Sequence, residues 1–123
     1  MAKTNRSPCP IASALDLLGD RWSLVVVRDL LFRDCHTYGE LLDSPEGIST
    51  NILAERLRRL EKAGVITKKV YQTRPQRYRY ELTAKGEALR PVLLSVIHWA
   101  NDHIPGTVRP PVAYSDRVIR KDL

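Results

Sequence analysis

The stretch GISTNILAERLRRLEKAG, residues 47–64, decides how this chain folds. Leu53, Leu57 and Leu60 recur at i, i+4 and i+7, so they line one face of a helix. Asn51, Glu55, Arg58 and Lys62 fall on the opposite face, with Arg56 and Arg59 on its flank. Ser49 suits the N-cap, since its hydroxyl can accept a bond from a backbone N–H left unpaired in the first turn. Gly64 suits the stop. Small polar residues (Ser49, Thr50, Asn51) crowd the N-terminal end, and a helix entering a DNA major groove presents such residues to base edges. An ordinary surface helix with a solvated charged face has the same stripe. The flanking sequence separates the two readings.

On the N-terminal side, Thr37-Tyr38-Gly39-Glu40 spells a capping box. It predicts a short helix through Leu42, then a turn over Asp43-Ser44-Pro45-Glu46-Gly47. Short helix, tight turn and longer polar-faced helix make a helix-turn-helix. On the C-terminal side the period changes to two. Ile66, Lys68 and Val70 alternate with Thr67, Lys69 and Tyr71, and Arg77, Arg79 and Glu81 alternate with Tyr78, Tyr80 and Leu82. With a turn at Gln72–Gln76 containing Pro75, this predicts a β-hairpin. Its outward side chains, Lys69, Arg74, Arg77 and Arg79, are cations. They suit phosphate contacts, although charge on an edge hairpin also guards against aggregation. Helix-turn-helix plus basic hairpin predicts a winged helix.

Further out, Arg21–Phe32 is apolar nearly all round and predicts a buried central helix capped by Asp20. Its valines keep a strand in competition, while length and the lack of alternation favour helix. Ile11, Ala14, Leu15 and Leu18 predict a first helix opened by Pro10 and ended by Gly19. Thr83 caps a last helix carrying Leu89, Leu93, Val96, Ile97, Trp99 and Ala100, with Pro91 expected to bend or break it. This stripe exceeds what one small core needs. It predicts a subunit interface, the alternative being packing on the first helix of the same chain. The expected division is a domain over 1–104 and a Pro-containing tail over 105–123, either an arm or disordered.

The chain has 123 residues, a net charge of +6, 43% hydrophobic and 28% charged residues, which suits one globular domain with an anionic partner. No apolar run approaches the roughly 20 residues of a membrane span, and the N-terminus lacks a signal-peptide core. The expected location is the cytoplasm. Cys9 and Cys35 are then thiols by default. His36, His98 and His103 form no metal spacing or nucleophile–base pair, so no enzyme activity, metal or cofactor is expected.

Cys9-Pro10, Leu18-Gly19-Asp20-Arg21-Trp22-Ser23-Leu24, Tyr38-Gly39-Glu40-Leu41, Gly47-Ile48-Ser49, Arg56-Leu57, Leu60-Glu61, Ala63-Gly64, Tyr80-Glu81-Leu82-Thr83 with Gly86, and Trp99 occur in order and at fixed spacing. Together they resemble the HxlR-type winged helix-turn-helix transcriptional regulators of bacteria. The resemblance runs from about Cys9 to Trp99. It implies an α+β fold, mainly helical with a small β-hairpin, whose first and last helices form a dimer interface, here Ile11 and Leu15 with Leu89, Leu93, Val96, Ile97 and Trp99. It implies a homodimer on a near-palindromic DNA operator. Some members sense oxidants or electrophiles through a cysteine at the position of Cys9. Here Cys9 precedes a helix start with Arg6 close in sequence, an arrangement that can lower a thiol pKa, while a quiet thiol buried at the interface is the alternative.

The residues expected to contact DNA are Ser49, Thr50, Asn51 and Arg56 at base edges or adjacent phosphates. Arg58 and Arg59 are phosphate ligands or intrahelical partners of Glu55 and Glu61. Lys68, Lys69, Arg74, Arg77 and Arg79 are the wing contacts. A winged helix used for protein contacts or effector binding, with weak DNA affinity, is the alternative function. Trp22, Trp99 and the tyrosines either line a pocket for a small-molecule effector or belong to the core. The operator, the regulated genes and the direction of regulation are not readable from the residues.

Overall fold

The computed structural model describes residues 6–108. In chain order the elements are α1 (Pro10–Leu18), α2 (Ser23–Phe32), α3 (Tyr38–Leu42), α4 (Thr50–Lys62), β1 (Ile66–Thr73), β2 (Gln76–Leu82), α5 (Ala84–Glu87) and α6 (Arg90–His103). The strands form an antiparallel pair. This is a winged helix: a helix-turn-helix, α3 and α4, followed by the hairpin wing.

Each end of α4 is built by its own sequence. Ser49 Oγ accepts the Ile52 N–H at 3.2 Å. At the other end the Val65 N–H reaches the Leu60 carbonyl and the Gly64 N–H reaches the Glu61 carbonyl, each at 3.0 Å. This closure needs a left-handed residue after the helix, and Gly64 supplies it at φ +80°. The apolar contact that accompanies it is Val65 on Leu60, each 1% exposed. The capping box of α3 also forms, with the Glu40 N–H donating to Thr37 Oγ1 at 3.2 Å and the Thr37 N–H donating to Glu40 Oε1 at 3.1 Å.

α2 runs through the middle of the core. Val26, Val27, Leu30, Leu31 and Phe32 meet Leu53, Leu57 and Leu60 of α4, with Leu41, Ile48, Ile66, Tyr80 and Leu93 closing the cluster. Its Asp29 is buried and would be costly alone. It accepts from Arg28 at 2.7 Å and from Arg33 at 3.2 Å. Arg28 extends the network to Glu46 at 2.6 Å, tying α2 to the turn between α3 and α4. The Arg28 guanidinium, opposed by partial burial and helped by the Ser44 hydroxyl, holds the Glu46 carboxyl down to about 2.

Three sequence expectations change. The hairpin turn is shorter than Gln72–Gln76, since β1 runs to Thr73 and β2 starts at Gln76. The register steps between Val70 and Gln72, so Tyr71 is the extra residue of a bulge and the alternation breaks there. The break expected in the last helix occurs, dividing it into α5 and α6, with Pro91 in the first turn of α6, where its missing N–H costs nothing. The apolar stripe of α6 divides: Leu93 belongs to the protomer core with Leu89 and Ile97 packed against it, so these three are withdrawn from the expected interface, while Val92 joins Val96 and Trp99 outside.

Of the expected tail, residues 105–108 fold back on α6. Asn101 Nδ2 donates to Thr107 Oγ1 and to the Val108 carbonyl, each at 2.9 Å. Residues 1–5 and 109–123, the latter holding most of the tail, lie outside the described residues.

Candidate nucleic-acid interface

The exposed surface of α4 begins at its first turn. Ser49, Thr50 and Asn51 are exposed, while Leu53 and Leu57 beneath them are 0% and 3% exposed. The first turn is anchored from α3, where Tyr38 Oη donates to the Thr50 carbonyl at 3.0 Å. Further along, Arg58 and Lys62 are exposed and have no ion-pair partner among the described residues.

The arginines on the flank are placed differently. Arg56 Nε donates to Asp20 Oδ2 at 2.6 Å and its guanidinium also pairs with Glu55. Arg59 Nη2 donates to Asp20 Oδ1 at 2.8 Å, with Glu55 a distant second partner at 3.9 Å. Asp20 meanwhile accepts the backbone N–H groups of Trp22 at 2.9 Å and Ser23 at 3.0 Å, and the Ser23 hydroxyl. Partial burial pushes its carboxyl pKa up, but the Ser23 hydroxyl, Arg56 and the Trp22 N–H outweigh this and hold it well below the usual carboxylate range. The Arg56 side chain, expected at a base edge, is 18% exposed and faces α2. No sequence period points to this, because its partner lies 36 residues away.

The wing divides its cations between two faces. Lys69 and Arg79 are cross-strand partners and both bond Glu81, at 3.0 and 3.2 Å. Arg77 follows on the same strand face, and Arg74 sits in the turn; neither has an ion-pair partner among the described residues. Lys68 lies on the other face, with its Nζ 4.3 Å from the centroid of the Tyr78 ring, a cation–π contact. Between the wing and α3 runs a cleft of about 460 Å³ lined by Tyr38, Tyr71, Tyr78, Tyr80 and Arg77. Trp22 packs on the core.

The expected interface helices leave their apolar sides uncovered in the protomer. α1 buries none of its residues, and Ile11 and Leu15 are 71% and 55% exposed. On α6, Val92, Val96 and Trp99 are exposed, Trp99 at 61%.

The two thiols occupy opposite environments. Cys35 is 0% exposed, with its Sγ 3.5 Å from the Arg33 carbonyl. Cys9 is exposed at the N-cap of α1. Arg6, its expected activator, is instead paired with Asp16 of α1 at 2.7 Å. Among the described residues no group of His, Cys, Asp and Glu could hold a metal, and no helix is long and apolar enough to cross a membrane.

Comparison with known proteins agrees with this geometry. The family described as HxlR-like helix-turn-helix matches residues 17–107. An uncharacterised HTH-type transcriptional regulator of Synechocystis is 39% identical, over 83% of this chain and 80% of its own. The reduced form of the transcriptional regulator YodB from Bacillus subtilis superposes with a TM-score of 0.67 at 32% identity, covering 83% of this chain and 100% of that one. The redox regulator HypR in its reduced form superposes with a TM-score of 0.71 at 26% identity, covering 79% and 95%. The chain therefore belongs to the HxlR-like helix-turn-helix family and is a winged-helix transcriptional regulator.

Proposed function

We propose that the protein acts as a homodimer on a near-palindromic duplex operator. The observation that carries this is the bare polar first turn of α4, Ser49, Thr50 and Asn51, on a helix whose other face is fixed in the core. A helix N-terminus held in this way enters a major groove, where the Asn51 amide can pair with adenine N6 and N7. Arg58 reaches the flanking phosphates. Lys68, Lys69, Arg74, Arg77 and Arg79 follow the backbone on either side of the wing, with Lys69 and Arg79 first giving up Glu81. The uncovered apolar sides of α1 and α6 support a twofold interface of Ile11, Leu15, Val92, Val96 and Trp99. Free cations on both the helix and the wing favour this over a protein-interaction module.

The test is enrichment of bound sequences from a random duplex library. The expected result is two inverted half-sites about one or two helical turns apart. Asn51→Ala should relax preference at one base pair per half-site, costing about 1–3 kcal/mol each. Enrichment of no sequence would contradict the proposal.

A second reading concerns regulation. Cys9 is exposed at the N-cap of α1, the helix of the proposed dimer interface, and one structural relative is a redox regulator. Oxidation of Cys9 would then alter the interface and release DNA, an effect that Cys9→Ser removes. The burial of Cys35 argues against a Cys9–Cys35 bridge.

A further inference from the structure

The carboxylate of Asp20 is used twice, by two elements that no backbone hydrogen bond joins. On one side it caps the start of α2 through the N–H groups of Trp22 and Ser23, at 2.9 and 3.0 Å. On the other it receives Arg56 and Arg59 of α4, at 2.6 and 2.8 Å, one on each oxygen. Its side chain is only 18% exposed, as is that of Arg56, so the contact is screened less than a surface pair. Arg56 and Arg59 lie on successive turns of α4, so bonding both fixes the rotation of the helix about its axis as well as its distance from α2. The hydrophobic contacts of Leu53, Leu57 and Leu60 resist separation but are non-directional, and they resist a small roll or slide much less. Asp20 also stands two residues after the end of α1, the helix with the uncovered apolar side.

We infer that Asp20 is a positioning residue for DNA recognition: it locks the pose of the recognition helix α4 and withholds Arg56 and Arg59 from the phosphates. This rests on the DNA-binding reading above. Such a lock has two effects on binding. It aims Ser49, Thr50 and Asn51 at the bases, which raises affinity for the operator. It keeps two cations away from DNA, which lowers affinity for any other sequence. Asp20 therefore works on the ratio of specific to non-specific binding, the quantity that decides occupancy in a genome.

Asp20→Asn is the informative variant. Asparagine is as good a helix cap as aspartate, so the N–H bonds of α2 survive while the two arginines lose their charge partner. Affinity for the enriched duplex and for a shuffled one is measured by fluorescence anisotropy across a salt series, with circular dichroism to check the fold. The expected result is a loss of ~10-fold or more for the operator with a gain on shuffled DNA. The salt slope on shuffled DNA should steepen by about 1–2, the contribution of one or two released arginines. A variant that merely misfolds would lose affinity for both duplexes and steepen neither slope.

Arg56→Gln provides a second arm that leaves the cap of α2 untouched. The lock predicts operator preference weakened across the whole half-site with an unchanged salt slope. A slope reduced by about 1, or preference lost at a single base pair, would make Arg56 a direct DNA contact and overturn the proposal. Wild-type specificity in Asp20→Asn would overturn it too. If the wild-type protein ignores DNA sequence, the DNA-binding reading fails by itself. The lock is then decided without DNA by hydrogen exchange, which should be faster along α4 in Asp20→Asn than in wild type, and equal exchange would refute it.

Discussion

Trp99→Ala tests the proposed dimer at its largest uncovered side chain. A tryptophan buries about 150–250 Å² when fully enclosed. With 61% of Trp99 exposed in the protomer, on the order of 90–150 Å² remains for a partner to cover. At about 25 cal/mol per Å² that is roughly 2–4 kcal/mol per protomer. A twofold interface contains the ring twice, giving about 4–8 kcal/mol for the pair. Even if a partner covers only half of that surface, the dimer dissociation constant should rise by about 30-fold or more. The ring also stacks obliquely on His103, with centroids 5.1 Å apart, and that contact is lost without touching the core. Sedimentation equilibrium over a protein dilution series reads the constant directly, and far-ultraviolet circular dichroism checks that the helices persist. A variant that dimerises as tightly as wild type would show that Trp99 lies outside the interface. A wild-type protein that stays monomeric throughout would refute the dimer itself.

Three further outcomes follow from particular contacts. A methyl group at Gly86 would sit 2.2 Å from the Val65 carbonyl oxygen and 2.7 Å from Leu82 Cδ2, and that oxygen is held by the Thr83 N–H at 3.0 Å. Gly86→Ala should therefore cost about 1–3 kcal/mol and lower the melting temperature by several degrees in calorimetry, an unchanged value refuting the clash. Glu46 is held at about 2 instead of its ordinary 4.5, so its contribution to stability is complete above pH 4.5 and disappears as the pH falls toward 2. Melting temperatures of Glu46→Gln should accordingly vary less over that interval than those of wild type, and parallel curves would discount the Arg28 pair. With native protein, a thiol reagent should modify Cys9 promptly and Cys35 only after denaturation, as mass spectrometry of the labelled peptides would read.

What could be read from the residues is what is local along the chain. The caps of α3 and α4 depend on groups within about a turn, and a Thr three residues before a Glu, or a Gly after the last leucine, announces them directly. The inward leucines of α4 and the tyrosine–arginine alternation of β2 follow from period alone. What escaped is what depends on distant or phase-breaking features. Arg56 and Arg59 look like groove-facing cations until Asp20 arrives from 36 and 39 residues away. The apolar stripe of the last helix is wide enough to serve two surfaces, and its period does not say that Leu89, Leu93 and Ile97 take the core while Val92, Val96 and Trp99 stay outside. The bulge at Tyr71 shortens the turn, and nothing in the residue type signals it. Cys35 gave no hint of its depth, because it sits in a connection whose backbone bonds back to the buried Asp29.

The measurement that bears most directly on the account is titration of the wild-type protein onto its enriched duplex and onto a shuffled duplex of equal composition, repeated at several salt concentrations. Sequence-specific recognition through α4 and the wing predicts much tighter binding to the enriched duplex at every salt, with both affinities falling linearly in log–log coordinates. Indistinguishable binding to the two duplexes, or none to either at low salt, would contradict it.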